Sequence, residues 1–123
     1  MDGPELAIAT GGIEAAYELK DWLDDVAELR GRSAVEVGAT PVGQQGAVSD
    51  VLVVALGSGG VVTVLAGVLN RWIAARKPSG MTVVVRDGKK EIRVEADQTA
   101  QSAELAASIL RAIDRTQRAK NDE

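Results

Sequence analysis

Twenty successive residues without a charge, Val51 to Asn70, reading VLVVALGSGGVVTVLAGVLN, restrict what this chain can become more than any other stretch does. As one helix they would span about 30 Å at ~1.5 Å per residue, close to the hydrocarbon thickness of a bilayer. A Gly-Ser-Gly-Gly cluster at Gly57 to Gly60 interrupts the run, and each glycine costs a helix interior roughly 0.8–1 kcal/mol relative to alanine. On a helical wheel Gly57, Gly60 and Gly67 fall within roughly 80° of one another, with Val53 and Val64 in the same sector, so they would form a smooth groove. Ser58, Thr63 and Asn70 do not gather into a wettable face, and a helix apolar all round must be buried in protein or in lipid.

Three readings stay open for this segment. The foremost is a central core helix whose glycines let the sheet or a second subunit approach closely. The second is a membrane-spanning or membrane-inserting segment over 51–73, with Arg71, Trp72, Arg76 and Lys77 as aromatic and basic anchors. The third is a strand Val51 to Leu56, a glycine turn and a helix from Val61, a layout shared with nucleotide-binding turns. That last pattern fails in detail: Val62 stands where the third glycine of a dinucleotide fingerprint belongs, and no lysine follows the glycines. Asp87 lies at a plausible spacing for a ribose-binding acid, yet Asp87-Gly88 is better explained as hairpin chemistry.

On either side the periodicity is clearer. Leu6 to Thr10 reads as a strand with Leu6 and Ile8 inward. From Ile13 to Leu29, Leu19, Trp22, Leu23, Val26 and Leu29 recur at helical spacing, and Gly31 between Arg30 and Arg32 supplies the C-terminal cap. Ala34 to Val37 is a second strand and Thr40 to Gly46 a loop. Met81 to Val85 and Glu91 to Ala96 form a hairpin across Asp87-Gly88, which sets Val83 opposite Ile92 and Met81 opposite Val94. Asp97 caps a last helix whose stripe is Leu105, Ala106, Ile109, Leu110 and Ile113. The expected fold is α+β, in the order strand, helix, strand, helix, strand, strand, helix. A mixed four-stranded sheet carries the helices, among them a central all-apolar helix, in one domain over 1–115, with a mobile polar tail over 116–123.

The chain has no histidine and no cysteine. The commonest general base and metal ligand, thiolate nucleophiles and zinc-thiolate sites are therefore missing together, which weighs against an enzyme. Asp21, Asp24, Asp25 and Glu28 read as a solvated face rather than a metal site, because hard cations need ligands converging from several directions. The serines have no histidine to activate them, and Trp22 is a packing residue. With 14 basic and 18 acidic residues the net charge is −4, and a nucleic-acid ligand is not expected. The acidic start, Met1 to Glu5, does not look like a secretory signal, so the expected location is cytoplasmic, with the membrane open only through 51–73.

The segments Glu18-Leu19-Lys20-Asp21-Trp22-Leu23, Glu28-Leu29-Arg30-Gly31-Arg32, Ser49 through Gly60, Leu69-Asn70-Arg71-Trp72-Ile73 and the Asp87-Gly88 hairpin occur in an order that resembles the effector-associated constant components of actinobacterial conflict systems. The resemblance runs from about Leu19 to Val94. It implies a small protein encoded beside variable effectors, often caspase-like or trypsin-like peptidases, in immunity or programmed cell death. No catalytic residues are assigned to that family, so none is carried over, and no cofactor or metal is expected; the resemblance points to an adaptor, trigger or target that works with an effector. The residues add one expectation: a homo-oligomer or partner-capped state with Gly57, Gly60, Gly67, Arg71, Trp72 and Arg76 at or near the contact. In that case Gly60→Leu would displace the partner. If the groove instead seats the protein's own sheet, the same change would unfold the monomer.

Overall fold

The computed structural model describes residues 3–10, 12–39, 49–57, 59–76, 81–87, 90–94 and 102–121. The chain runs β1 (Glu5–Ala9), α1 (Ile13–Asp24), β2 (Ser33–Ala39), β3 (Ser49–Ala55), α2 (Gly59–Arg76), β4 (Thr82–Asp87), β5 (Lys90–Val94) and α3 (Ser102–Asn121). Among the described residues the sheet has five strands in the order β2-β3-β1-β4-β5, and every neighbouring pair is antiparallel. This corrects the expected mixed four-stranded sheet. The additional strand comes from the uncharged stretch, which is no single helix: Val51 to Ala55 belong to β3, and α2 starts at Gly59.

A strand and a helix read alike here because both are buried so widely. β3 lies inside the sheet, with Leu52 and Val54 on one face and Val51 and Val53 on the other, all buried. A strand covered on both faces loses the alternation of polar and apolar residues that normally marks it. In α2, Val61, Val62, Leu65, Ala66, Val68, Leu69, Trp72 and Ile73 are buried, so its polar face is narrow. Among the described residues no helix is long and apolar enough to cross a membrane, and the segment over 51–73 is divided between β3 and α2 and does not form one helix.

β1-α1-β2 and β3-α2-β4 interleave, since β3 lies between β1 and β2 while β1 lies between β3 and β4. This is the split βαβ arrangement of ferredoxin-like folds, to which β5 and α3 are added at one edge. Leu6, Ile8, Leu52, Val54, Val83 and Val85 on one sheet face join Leu19 and Leu23 of α1, Leu65 and Leu69 of α2, and Leu105 and Ile109 of α3 in one core. The opposite face carries a small cluster of Ala7, Ala9, Val51 and Val53. Arg86 Nη2 lies 2.9 Å from Glu5 Oε1 and 3.6 Å from Glu36 Oε1, joining β4 to β1 and to the edge strand β2.

Three local expectations shift. The hairpin pairs Val83 with Val94, Val85 with Ile92 and Asp87 with Lys90, so Asp87 belongs to the strand. Relative to the expected pairing with Ile92, Val83 has moved by two residues, which keeps every side chain on its face. α3 buries Leu105, Ala106, Ile109, Ala112 and Thr116, whereas Leu110 is exposed. The helix continues to Asn121 past the buried Thr116, whose hydroxyl donates to the Ile113 carbonyl at 2.8 Å. The loop at 40–46 and the Asp97 cap lie outside the described residues.

α1 ends at Asp24, short of the expected Leu29. Asp24 and Asp25 bring negative charge to the negative end of the helix dipole, and Asp24 finds other partners. Its carboxylate accepts from Lys20 Nζ at 2.6 Å and from the Gly31 N–H at 3.3 Å, while its carbonyl accepts from Arg30 Nε at 2.9 Å. Side-chain bonds of this kind compete with helix continuation. Gly31 provides the required left-handed backbone with φ 78°, and the chain folds back to bury Leu29.

The Lys20 hydrogen bond is the main reason the Asp24 carboxyl is held below its usual value of 3.8, with the Gly31 N–H and the charges of Lys20 and Arg30 assisting against partial burial. A depressed carboxyl pKa stabilises the fold above the unfolded value, and that stability is lost as pH falls through the folded value. Asp24→Asn is therefore expected to cost about 0.5–1.5 kcal/mol at neutral pH, since a hydrogen bond and a half-exposed ion pair are both modest. Urea titrations should show the gap between wild type and variant closing as pH drops below 3.8.

Candidate interaction surface

The six residues expected at a contact are separated by the fold. Gly57 precedes α2 in an exposed connection, and a Cβ there would meet Arg32 Nη1 at 3.3 Å. It is not on the helix, so the three-glycine groove does not exist as drawn. Gly60, Gly67 and Arg71 do share one side of α2, where Gly60, Thr63, Arg71, Ala74 and Ala75 are exposed and Val64, Gly67 and Asn70 half-buried. A Cβ added at Gly67 meets nothing within 4 Å. This side of α2 therefore does not seat the protein's own sheet. It is a low-relief surface of small side chains with one cation, and another backbone can approach it closely.

Trp72 points the other way. It is buried at 1% exposure, and its Nε1 donates to Glu18 Oε1 at 3.0 Å. Arg76 also bonds Glu18, through both Nε and a second guanidinium nitrogen. Residues expected as an aromatic and basic anchor thus lock α2 onto α1, with one carboxylate satisfying a buried indole and an exposed guanidinium. Glu18 was not foreseen as their partner. Its position one helical turn before Trp22 gives no hint of a partner 54 residues away.

The carboxylate-rich end of α1 does not converge. Asp24 is occupied by Lys20 and Gly31 while Asp21, Asp25 and Glu28 are exposed, and among the described residues no group of acids is arranged to hold a metal ion. The strand-turn-helix layout of a nucleotide site is present at β3 and α2, but its strand joins an antiparallel sheet. Asp87 is buried at the end of β4 and pairs with Lys90, so it stands in the strand and not in the expected Asp87-Gly88 turn.

A second surface lies at the sheet edge, where β5 and α3 enclose a cleft of about 320 Å³ lined by Ile92, Arg93, Val94, Ser108, Arg111, Ala112 and Arg115. Arg111 Nη2 donates weakly to Ser108 Oγ at 3.4 Å. Its sequence signal was Arg111 and Arg115 at a spacing of four, which becomes meaningful only once α3 is placed beside β5.

Gly67→Ala distinguishes a free α2 face from an occupied one. With nothing near the added methyl, the replacement should raise stability by up to about 1 kcal/mol through helix propensity, read as a higher thermal midpoint. If a second copy or a partner packs on that face, the methyl should also weaken the association in sedimentation velocity.

Residues 9–114 match the family model described as Effector Associated Constant Component 1. No curated protein and no solved structure matches the chain.

Proposed function

We propose, because the chain belongs to the Effector Associated Constant Component 1 family, that it acts by binding an effector protein rather than by catalysis. The family places it as a constant component of effector-associated conflict systems. The family match over residues 9–114 is the observation that carries this reading. Support comes from a chain with neither histidine nor cysteine, and from acids and a tryptophan that are engaged in holding helices together. In this reading the protein is the shared adaptor, trigger or target of interchangeable effectors, a caspase-like or trypsin-like peptidase among them. The exposed side of α2 around Gly60, Gly67 and Arg71 serves self-association or capping by the partner.

Co-expression with the effector encoded beside it, followed by capture through a tag and by mass spectrometry of both chains, tests this directly. A stoichiometric complex, or cleavage of this protein by the effector at one site, is the expected outcome. Neither complex nor cleavage, with the effector shown to be folded and active, would remove the proposal.

A further inference from the structure

We propose that the cleft between β5 and α3 receives an acidic, extended segment of a partner protein, which adds as a strand to the free edge of β5. Three observations converge on that occupant. First, among the described residues β5 ends the sheet, and in an antiparallel ladder alternate residues turn their N–H and C=O groups away from the paired neighbour. Those groups form a template for an incoming strand. Secondly, the two edges of the sheet differ. β2 shows a register irregularity between Glu36 and Ala39, a feature that blunts edge pairing, whereas β5 keeps an unbroken register with β4 from Lys90 to Val94.

Thirdly, the charge on the cleft is one-sided in an acidic chain. Arg111 and Arg115 stand one helical turn apart on α3, and Arg93 belongs to the edge strand itself; all three are exposed. Among the described residues none of them is in an ion pair, although Arg76, Arg86 and Arg118 all are. An extended peptide lying along β5 alternates its side chains between the two sheet faces. Acids on one side would meet Arg111 and Arg115, and acids on the other would meet Arg93. Between the arginines, Ile92, Val94 and Ala112 give an apolar floor. A small anion would use the guanidiniums and leave the strand edge unused. Nucleic acid is disfavoured by the net charge of −4.

This inference rests on the reading that the protein acts by binding another protein, and its test separates the two. The probe is a short fluorescent peptide of repeated Glu-Glu-Thr-Thr, which puts acids on both faces of an extended strand, titrated by anisotropy into the full chain. Controls are the same peptide with glutamine for glutamate, the same peptide N-methylated at alternate backbone positions, and an oligothymidylate. Saturable binding of the glutamate peptide is expected. Both peptide controls and the Arg111→Glu/Arg115→Glu variant should weaken it roughly tenfold or more, because charge complementarity and main-chain pairing both contribute. Both arginines are exposed, so circular dichroism should show the variant folded. Amide shifts in a labelled sample should centre on Glu91 to Val94.

No binding, equal binding of the glutamine or N-methylated peptide, or equal binding by the variant overturns the proposal. So does displacement of the peptide by the oligothymidylate at equal concentration. Effector capture lost in the same variant supports the proposal. Capture retained by the variant overturns the cleft while leaving the partner-binding reading intact. An effector that ignores the wild type removes that reading, and the peptide titration still decides the cleft.

Discussion

Replacing Trp72 by alanine is expected to destabilise the protein by about 3–5 kcal/mol, the range for truncating a buried large aromatic side chain. A domain of this kind has only about 5–15 kcal/mol in all, so the variant should be largely unfolded at modest urea concentrations. The indole is 1% exposed, sits in the core shared by the three helices, and donates to Glu18 across to α1. Trp72→Phe retains most of the packing but deletes the N–H, and should cost roughly 1–2 kcal/mol. Urea unfolding followed by far-ultraviolet circular dichroism checks both. Had Trp72 stood at an exposed contact, alanine would change stability by under about 0.5 kcal/mol and would lower self-association instead.

Ile109→Ala should cost about 2–5 kcal/mol and shift the whole unfolding transition without splitting it. Ile109 is fully buried in the one core that includes Leu6 and Ile8 of the central strand, Leu19 of α1 and Leu65 of α2. Although β5 and α3 are added outside the split βαβ unit, their apolar side chains belong to the same cluster, so the appended elements and the unit should melt together. Calorimetry and circular dichroism giving coincident midpoints would bear this out. An early transition that removes α3 alone would show that the unit stands independently.

What the sequence disclosed follows from how each element is buried. α1, α3 and β5 have one wet face, so their periods were legible; β4 is buried on both faces and was marked by its β-branched run and the turn signal after it, and even the two-residue shift of the hairpin left Val83 and Val85 on the core side. Among the described residues of Val51 to Asn70 the exposed positions are Ala55, Gly57, Gly60 and Thr63, almost none of them polar, and hydrophobic periodicity cannot divide such a run. The available signals were the valines at 51, 53 and 54 and the glycines that follow them, a β-branched segment of strand length ended by a turn. Glycine spacing on an assumed continuous helix outweighed them, and the groove built on Gly57 fell with that assumption.

The candidate surfaces show the same division. Gly60, Gly67 and Arg71 share a face because their spacing is helical within α2 alone. Trp72 and Arg76 face Glu18, a partner fixed only by tertiary packing. The Arg93, Arg111 and Arg115 cleft depends on α3 lying beside the edge strand, and no local pattern in sequence announces that placement. The family resemblance, by contrast, rested on ordered short segments, and the match over residues 9–114 extends it beyond Leu19 to Val94.

In the proposed function this protein engages an effector as a folded, non-catalytic partner. Isothermal titration of the purified neighbouring effector into the purified protein tests it most directly, with sedimentation velocity on the same samples to fix the stoichiometry. Saturable heat at one fixed molar ratio is expected, with a complex that sediments faster than either chain. Two proteins that are each folded, yet give no heat and sediment independently at every ratio and concentration tried, would contradict it.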